Sequence, residues 1–234
     1  MSTQWLAIDT ATDVASVAIG SAEHIEAVRV IRGARQHAAQ VLPVIQQVLA
    51  AARTRVGQIG GIVVGDGPGS FTGLRIGWAA AKGLVHERDL PIVAVPSLLG
   101  AAHAAAVGST GPIAACFDAL RGQVYGAIFA FYPGRVETLV APDLFTIATL
   151  AAATTVTPAL AVGDGADRYR EEIASWMGRP PLALESLPPV AGSLLALAPT
   201  VGYPAIGEPV YGRPAEAQVK WEAIHGRPLP HSSR

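Results

Sequence analysis

Eleven residues, Gly65-Asp66-Gly67-Pro68-Gly69-Ser70-Phe71-Thr72-Gly73-Leu74-Arg75, constrain this chain more than any other stretch. Gly65, Gly67, Pro68 and Gly69 fall within five residues, a density that neither a helix nor a strand interior tolerates. A β-branched apolar run at 59–65 leads in, and an apolar stretch at 71–86 leads out. The pattern predicts a strand, a tight loop and a helix, with Ser70 as the N-cap. Such a loop can be a plain strand-to-helix joint, or its free amides and the helix dipole can receive an anion or a carbonyl. The sequence leaves both readings open. The loop is not a standard phosphate cradle. No lysine lies between Gly61 and Ala81, and Gly67-x-Gly69-x-x-Thr72 lacks the third glycine of a dinucleotide fingerprint.

The 234 residues allow one large domain or two small ones, and half of them are apolar, enough for a substantial core. A net charge of -1 argues against a protein that grips nucleic acid by itself, since neutralising phosphates needs a basic face. The single cysteine, Cys116, lies in an apolar run, so no disulfide framework exists and a reducing compartment fits. The N-terminus lacks a basic leader region, and the alanine-rich runs are interrupted well before the ~20 residues of a membrane span. The expectation is a soluble cytoplasmic protein with no membrane contact.

Hydrophobic periodicity divides the chain in two. The first part reads as strands at 6–9, 14–19 and 23–31, a helix at 36–51 containing Pro43, a strand at 59–65, a helix at 71–86, a strand at 91–95, and a helix capped by Ser97 and running to about residue 107. Residues 108–112 are the best linker. The second part reads as strands at 113–118, 124–131 and 135–140, a helix at 146–153, a strand at 159–162, a second glycine turn at Gly163-Asp164-Gly165, and a short helix at 192–198. Asp9 and Asp118 end the first strand of each part, 109 residues apart, a weak internal repeat. Two such halves suggest an α/β actin-like ATPase fold, two ribonuclease-H-like lobes with an abbreviated second copy. The lobes are expected at 1–107 and 112–214, followed by a polar tail at 215–234 whose end is disordered.

In a cleft between such lobes, Asp9, Thr10, Thr12, Gly67, Gly69, Ser70, Asp118, Gly163 and Gly165 are candidates to face a nucleotide, a phosphate or a hydrated cation. The alternative is that Asp9 and Asp118 simply cap turns. Metal chemistry finds no support: the i, i+4 partner of His37 is Val41 and that of His103 is Val107. The Gly-x-Ser-x-Gly elbow is also absent, so no catalytic residue is assigned. Gly73, Gly77, Ala80 and Ala81 form a small-residue helix face, suited to close contact with the 36–51 helix or with another chain. Arg75 and Trp78 would then be exposed anchors.

Seven segments in order carry a family resemblance: LAIDTATDVASVAI from Leu6, a histidine followed by Leu42-Pro43 from His37, GDGPGSFTGLRIGWAAAKGL from Gly65, VPSLLGAA from Val95, FDALRGQVYGAIF from Phe117, VGDGADRY from Val162 and EPVYGRP from Glu208. The chain resembles the TsaB (YeaZ) type of bacterial tRNA threonylcarbamoyladenosine biosynthesis protein, of the actin-like ATPase superfamily. The resemblance implies a two-lobed fold and a non-catalytic scaffold in the formation of N6-threonylcarbamoyladenosine in tRNA. It implies a TsaD-type paralogue that holds the metal and performs the transfer, a TsaE-type ATPase, tRNA contact through the complex, and self-pairing as a homodimer. It implies no cofactor in the isolated chain, with ATP or ADP at the level of the complex. His37, Val41, Ile45, Gly73, Arg75, Gly77, Trp78 and Ala81 mark the implied partner face. Trp78 stands where a smaller residue is usual, and Gly212 interrupts the Val-Tyr-x-Arg stretch. A metallopeptidase, an actin-like small-molecule kinase and a plain homodimeric structural protein are the competing readings.

Overall fold

The structure is a computed structural model that describes residues 3–33, 36–86, 89–107, 109, 111–205 and 207–213. The 215–234 tail lies outside the described residues, as do Gly108 and Thr110 of the expected linker.

The first sheet is built from β1 (Trp5–Asp9), β2 (Val14–Gly20), β3 (Ile25–Arg32), β4 (Ile62–Gly65), β5 (Ile92–Val95) and β10 (Tyr203–Pro204), in the order β10-β5-β4-β1-β2-β3. The second contains β6 (Ile113–Asp118), β7 (Val124–Tyr132), β8 (Arg135–Phe145) and β9 (Leu160–Val162), in the order β8-β7-β6-β9. Each opens as an antiparallel three-strand meander whose first strand then accepts a parallel neighbour: β1 takes β4 and β6 takes β9. This shared topology is the duplicated ribonuclease-H-like unit, and the actin-like α/β fold follows from it. Among the described residues the second sheet has no counterpart of β5, as expected of an abbreviated copy.

Strand alternation decides which core each residue joins. In β1, Leu6 and Ile8 face helices α1 (His37–Ala51) and α2 (Phe71–Val85), while Ala7 faces inward. In β6, Ile113, Ala115 and Phe117 face inward, while Ala114 and Cys116 face α4 (Ile147–Ala152) and α6 (Arg170–Met177). Between the sheets lie α3 (Ser97–Ala105) and α7 (Val190–Val201), so the two lobes share one apolar core. Gly100 makes this possible: a Cβ there would stand 2.6 Å from Leu194.

Several sequence expectations change. The strand at 59–65 begins at Ile62, because Gly60 and Gly61 press against Trp5 before pairing starts. The 135–140 strand continues to Phe145, following β7 through two register shifts. The short helix at 192–198 is α7, twelve residues long, and the glycine turn at 163–165 leads into α5 (Asp164–Arg168) and then α6. Pro43 sits inside α1 without ending it. Ser97 does not cap α3, whose N-cap is Pro96; its hydroxyl turns to Asp9. The second lobe does not hold everything to residue 214, because α7 packs on the first sheet and β10 pairs with β5.

Candidate functional site

In both lobes the glycine turns sit at the C-terminal ends of the parallel strand pairs, the place where open α/β sheets present loops to ligands. A cleft of about 720 Å³ opens there, lined by Ala11, Asp13, Gly69, Ser70, Phe71 and Thr72 from the first lobe. Asp118, Leu120, Arg121, Tyr125, Asp164, Asp167 and Arg168 line it from the second, and Tyr211 and Arg213 from the closing segment.

The loop after β4 turns as its glycines require. Gly67 has φ +97° and lies against the Val210 carbonyl, 2.3 Å from where a Cβ would be. A Cβ on Gly69 would meet the Ala11 carbonyl at 2.3 Å. Three amides along this loop and helix start are engaged within the chain. Gly67 N donates to Ser97 Oγ at 3.2 Å, Ser70 N to the Ala11 carbonyl at 2.7 Å, and Gly73 N to Ser70 Oγ at 3.2 Å. Ser70 is thus the expected N-cap, and the reading of the loop as a structural joint is the one the geometry favours.

Asp9 is buried beneath this loop. It accepts the Ser97 hydroxyl at 2.7 Å, while its second oxygen is buried without a partner. Burial pushes its carboxyl up to about 6, against the opposing pull of Ser97 and the Ala11 amide. Asp118 likewise accepts the amide of Leu120, two residues on, at 2.9 Å, and pairs with Arg168 at 3.0 Å. Asp118 therefore caps the turn after β6, whereas Asp9, at the equivalent strand end, is tied to the head of α3.

Of the nine residues expected in the cleft, Gly69, Ser70 and Asp118 line it. Asp9, Thr10 and Thr12 are buried below, and Gly67, Gly163 and Gly165 are packed against neighbouring backbone or side chains. Asp13, in the turn after Asp9, and Asp164 join the cleft lining, while sequence reasoning missed Asp167 and the Phe71–Tyr211 pair, whose ring centroids are 4.4 Å apart. Asp164 was legible only as the middle of a Gly-Asp-Gly turn. Its Oδ1 accepts the amides of Asp118 at 3.0 Å and Gly165 at 2.9 Å. Burial, then the nearby charges of Asp13 and Asp118, push its carboxyl up to about 6 against those two amides.

The partner-face residues separate sharply. His37, Val41, Ile45, Gly73, Gly77, Trp78 and Ala81 are buried in the chain's own core, and Arg75 is exposed. Trp78, expected as an exposed anchor, is 4% exposed and fills the space beside Val64 and Ala94. Gly73 and Gly77 face neither α1 nor solvent. They pack on Thr10, where added Cβ atoms would lie 2.1 Å from its carbonyl and 2.4 Å from its hydroxyl. His37 is buried with Nε2 unpartnered, and burial lowers its pKa, opposed by the Asp13 backbone and carboxylate. Gly212, at φ +76°, lets the closing segment pass 2.5 Å (Cβ to Cε1) from Tyr125, which no side chain permits. The face of α1 and α2 that remains exposed includes Leu42 at 53% and Phe71 at 37%. Among the described residues, no three of His, Cys, Asp or Glu gather so as to hold a metal ion, and no helix is long and apolar enough to cross a membrane.

The doubled topology and its cleft define an actin-like protein. The family described as TsaD: tRNA N6-adenosine threonylcarbamoyltransferase matches residues 31–168. The chain is 40% identical over 124 residues to tRNA threonylcarbamoyladenosine biosynthesis protein TsaB of Escherichia coli K12, covering 52% of this chain and 53% of that one. It is 36% identical over 138 residues to TsaB of Bacillus subtilis 168, 59% of each. The matches thus span little more than half the length of these curated relatives. Among solved structures, YeaZ from Pseudomonas aeruginosa superposes with a TM-score of 0.68 at 27% identity, covering 84% of this chain and 91% of that one. A Pseudomonas aeruginosa protein described as similar to peptidase YEAZ gives 0.71 at 27% identity, over 90% and 100%. The chain belongs to the TsaD family, and within it is of the TsaB (YeaZ) type.

Proposed function

We propose that this protein is a non-catalytic partner subunit in the formation of N6-threonylcarbamoyladenosine in tRNA, acting in the cytoplasm beside a TsaD-type paralogue and a TsaE-type ATPase. The names of its relatives support the pathway. One observation supports the non-catalytic role above the others: the signature loop gives its Gly67, Ser70 and Gly73 amides to Ser97, Ala11 and its own N-cap. A loop so engaged sets the shape of a lobe rather than holding a reacting group. Nucleotide, as ATP or ADP, then belongs to a partner or to the junction with one, and tRNA is met through the complex. The near-neutral net charge agrees with that division.

The exposed side of α1 and α2 is the proposed docking face for the paralogue or a second copy. It carries Leu42, Phe71 and Arg75 and lacks acidic residues in either helix, and apolar and arginine side chains of this kind anchor protein contacts. The test is reconstitution. The chain alone should leave tRNA unmodified, and adding it to the paralogue, the ATPase and threonylcarbamoyl adenylate should restore modification. Leu42→Asp should abolish co-purification with the paralogue while leaving thermal stability unchanged. Modification by the isolated chain would overturn the reading.

A further inference from the structure

We infer that Asp164 is the residue that keeps phosphate out of the inter-lobe cleft, because its carboxylate occupies the backbone amides that a phosphate would need. The inference rests on the reading of this chain as a subunit without its own nucleotide. β6 and β9 run parallel, with Val162 at the end of β9 opposite Ala115, and the Gly163 turn brings the next segment past the rest of β6 to Asp118. Gly163, at φ +110°, and Gly165 both need the absence of a side chain there. Added Cβ atoms would lie 2.2 Å from the Cys116 carbonyl and 2.7 Å from the Phe117 carbonyl carbon. Backbone approach this close, with amides turned to one point at a strand end, is how actin-like and other α/β folds present donors to an anion.

Here that point is taken. Asp164 Oδ1 accepts from Asp118 N and Gly165 N, so a negative group built into the chain satisfies both donors. The charges around it reinforce the exclusion. Asp13 faces Asp164 from the first lobe and Asp118 stands beside it. Arg168, a cation of the same cleft wall, is paired with Asp118 at 3.0 Å. An entering phosphate would have to displace a carboxylate, lie beside two more, and find the first-lobe loop amides of Gly67 and Ser70 already engaged. Ala at position 164 would remove the resident anion and its acceptor together and leave the two amides unsatisfied, a state that an external anion relieves.

The experiment compares the full chain with Asp164→Ala, using inorganic phosphate and magnesium ATP as probes at neutral pH, with binding followed by phosphorus NMR and calorimetry. The unaltered chain should show no saturable binding at millimolar probe. Asp164→Ala should bind phosphate at least tenfold more tightly. Two controls separate amide occupancy from charge alone. Asp167→Ala removes the same charge from the cleft wall but frees no amide, and should gain nothing. Asp164→Asn keeps an acceptor on the amides and should also gain nothing. A measurement without any variant stands behind these: in the native chain the amide protons of Asp118 and Gly165 should shift together in a pH titration without probe, as the carboxyl that holds them both is protonated. Equal binding by the native chain and Asp164→Ala, an equal gain in Asp167→Ala, or amide protons indifferent to pH would overturn the inference. None of these results touches co-purification with the paralogue, so the partner-subunit reading fails or survives separately.

Discussion

Ser97 Oγ donates to Asp9 Oδ1 at 2.7 Å while accepting Gly67 N at 3.2 Å, so one hydroxyl joins the end of β1 to the glycine loop and the start of α3. The link spans 88 residues of sequence and is buried throughout. It explains why a serine after Pro96 is better used as a bridge than as a helix cap.

The Asp9 carboxyl, pushed from 3.8 to about 6 by burial, makes stability depend on pH. A raised folded-state value means that the folded protein binds the proton more tightly. The contribution is complete below pH 3.8 and is lost as pH rises toward 6. Above that the ionised group weighs against folding by up to roughly 3 kcal/mol, two units at 1.36 kcal/mol each. Asp9→Asn, which keeps an acceptor for Ser97, should raise stability at pH 7 by about 1–3 kcal/mol and flatten the slope between pH 4 and 6. Urea unfolding at a series of pH values checks this, and a variant less stable at pH 7 contradicts it.

Gly77→Ala should destabilise the chain although alanine is the better helix former. The propensity gain of about 1 kcal/mol is opposed by overpacking of about 1–3 kcal/mol against Thr10. A net loss of roughly 1 kcal/mol is expected, and more at Gly73, where the clash at 2.1 Å is with backbone. Gly83, with open space around it, should gain from the same change. Thermal melts of the three variants order them.

Trp78→Ala separates a core role from an anchor role. Removing a buried indole should lower stability by about 3–5 kcal/mol. Leu42→Asp, at an exposed position, should leave unfolding unchanged within about 0.5 kcal/mol. Calorimetric unfolding of both variants without a partner decides the matter.

Ser70→Ala removes the acceptor of the Gly73 amide at the head of α2 and should cost about 1 kcal/mol. Restoration by Ser70→Asp or Ser70→Thr would show that capping, not hydroxyl chemistry, is what the position supplies.

Much of the fold was legible because the cues are local. Short, nearly unbroken apolar runs marked β1, β2, β6 and β7, and Ser70 announced α2. What escaped depends on contacts between distant segments. Nothing near Trp78 in sequence shows that Val64, Ala94 and Ala205 enclose it. Gly73 and Gly77 signalled a close neighbour without revealing that it is Thr10. The site was read in outline from its glycines and strand-end aspartates, whereas the approach of Asp13 to Asp164 was not legible because the two meet only when the lobes come together.

The return of α7 and β10 to the first sheet has a consequence for biogenesis. Ala7, Ala18 and Val63 look toward a helix translated more than a hundred residues later. As the polypeptide leaves the ribosome, its opening half has one apolar surface bare until residues 190–201 emerge. Synthesis must therefore pass residue 201 before the beginning of the molecule can be finished, and a release at residue 107 yields a fragment with an uncovered sheet that should aggregate.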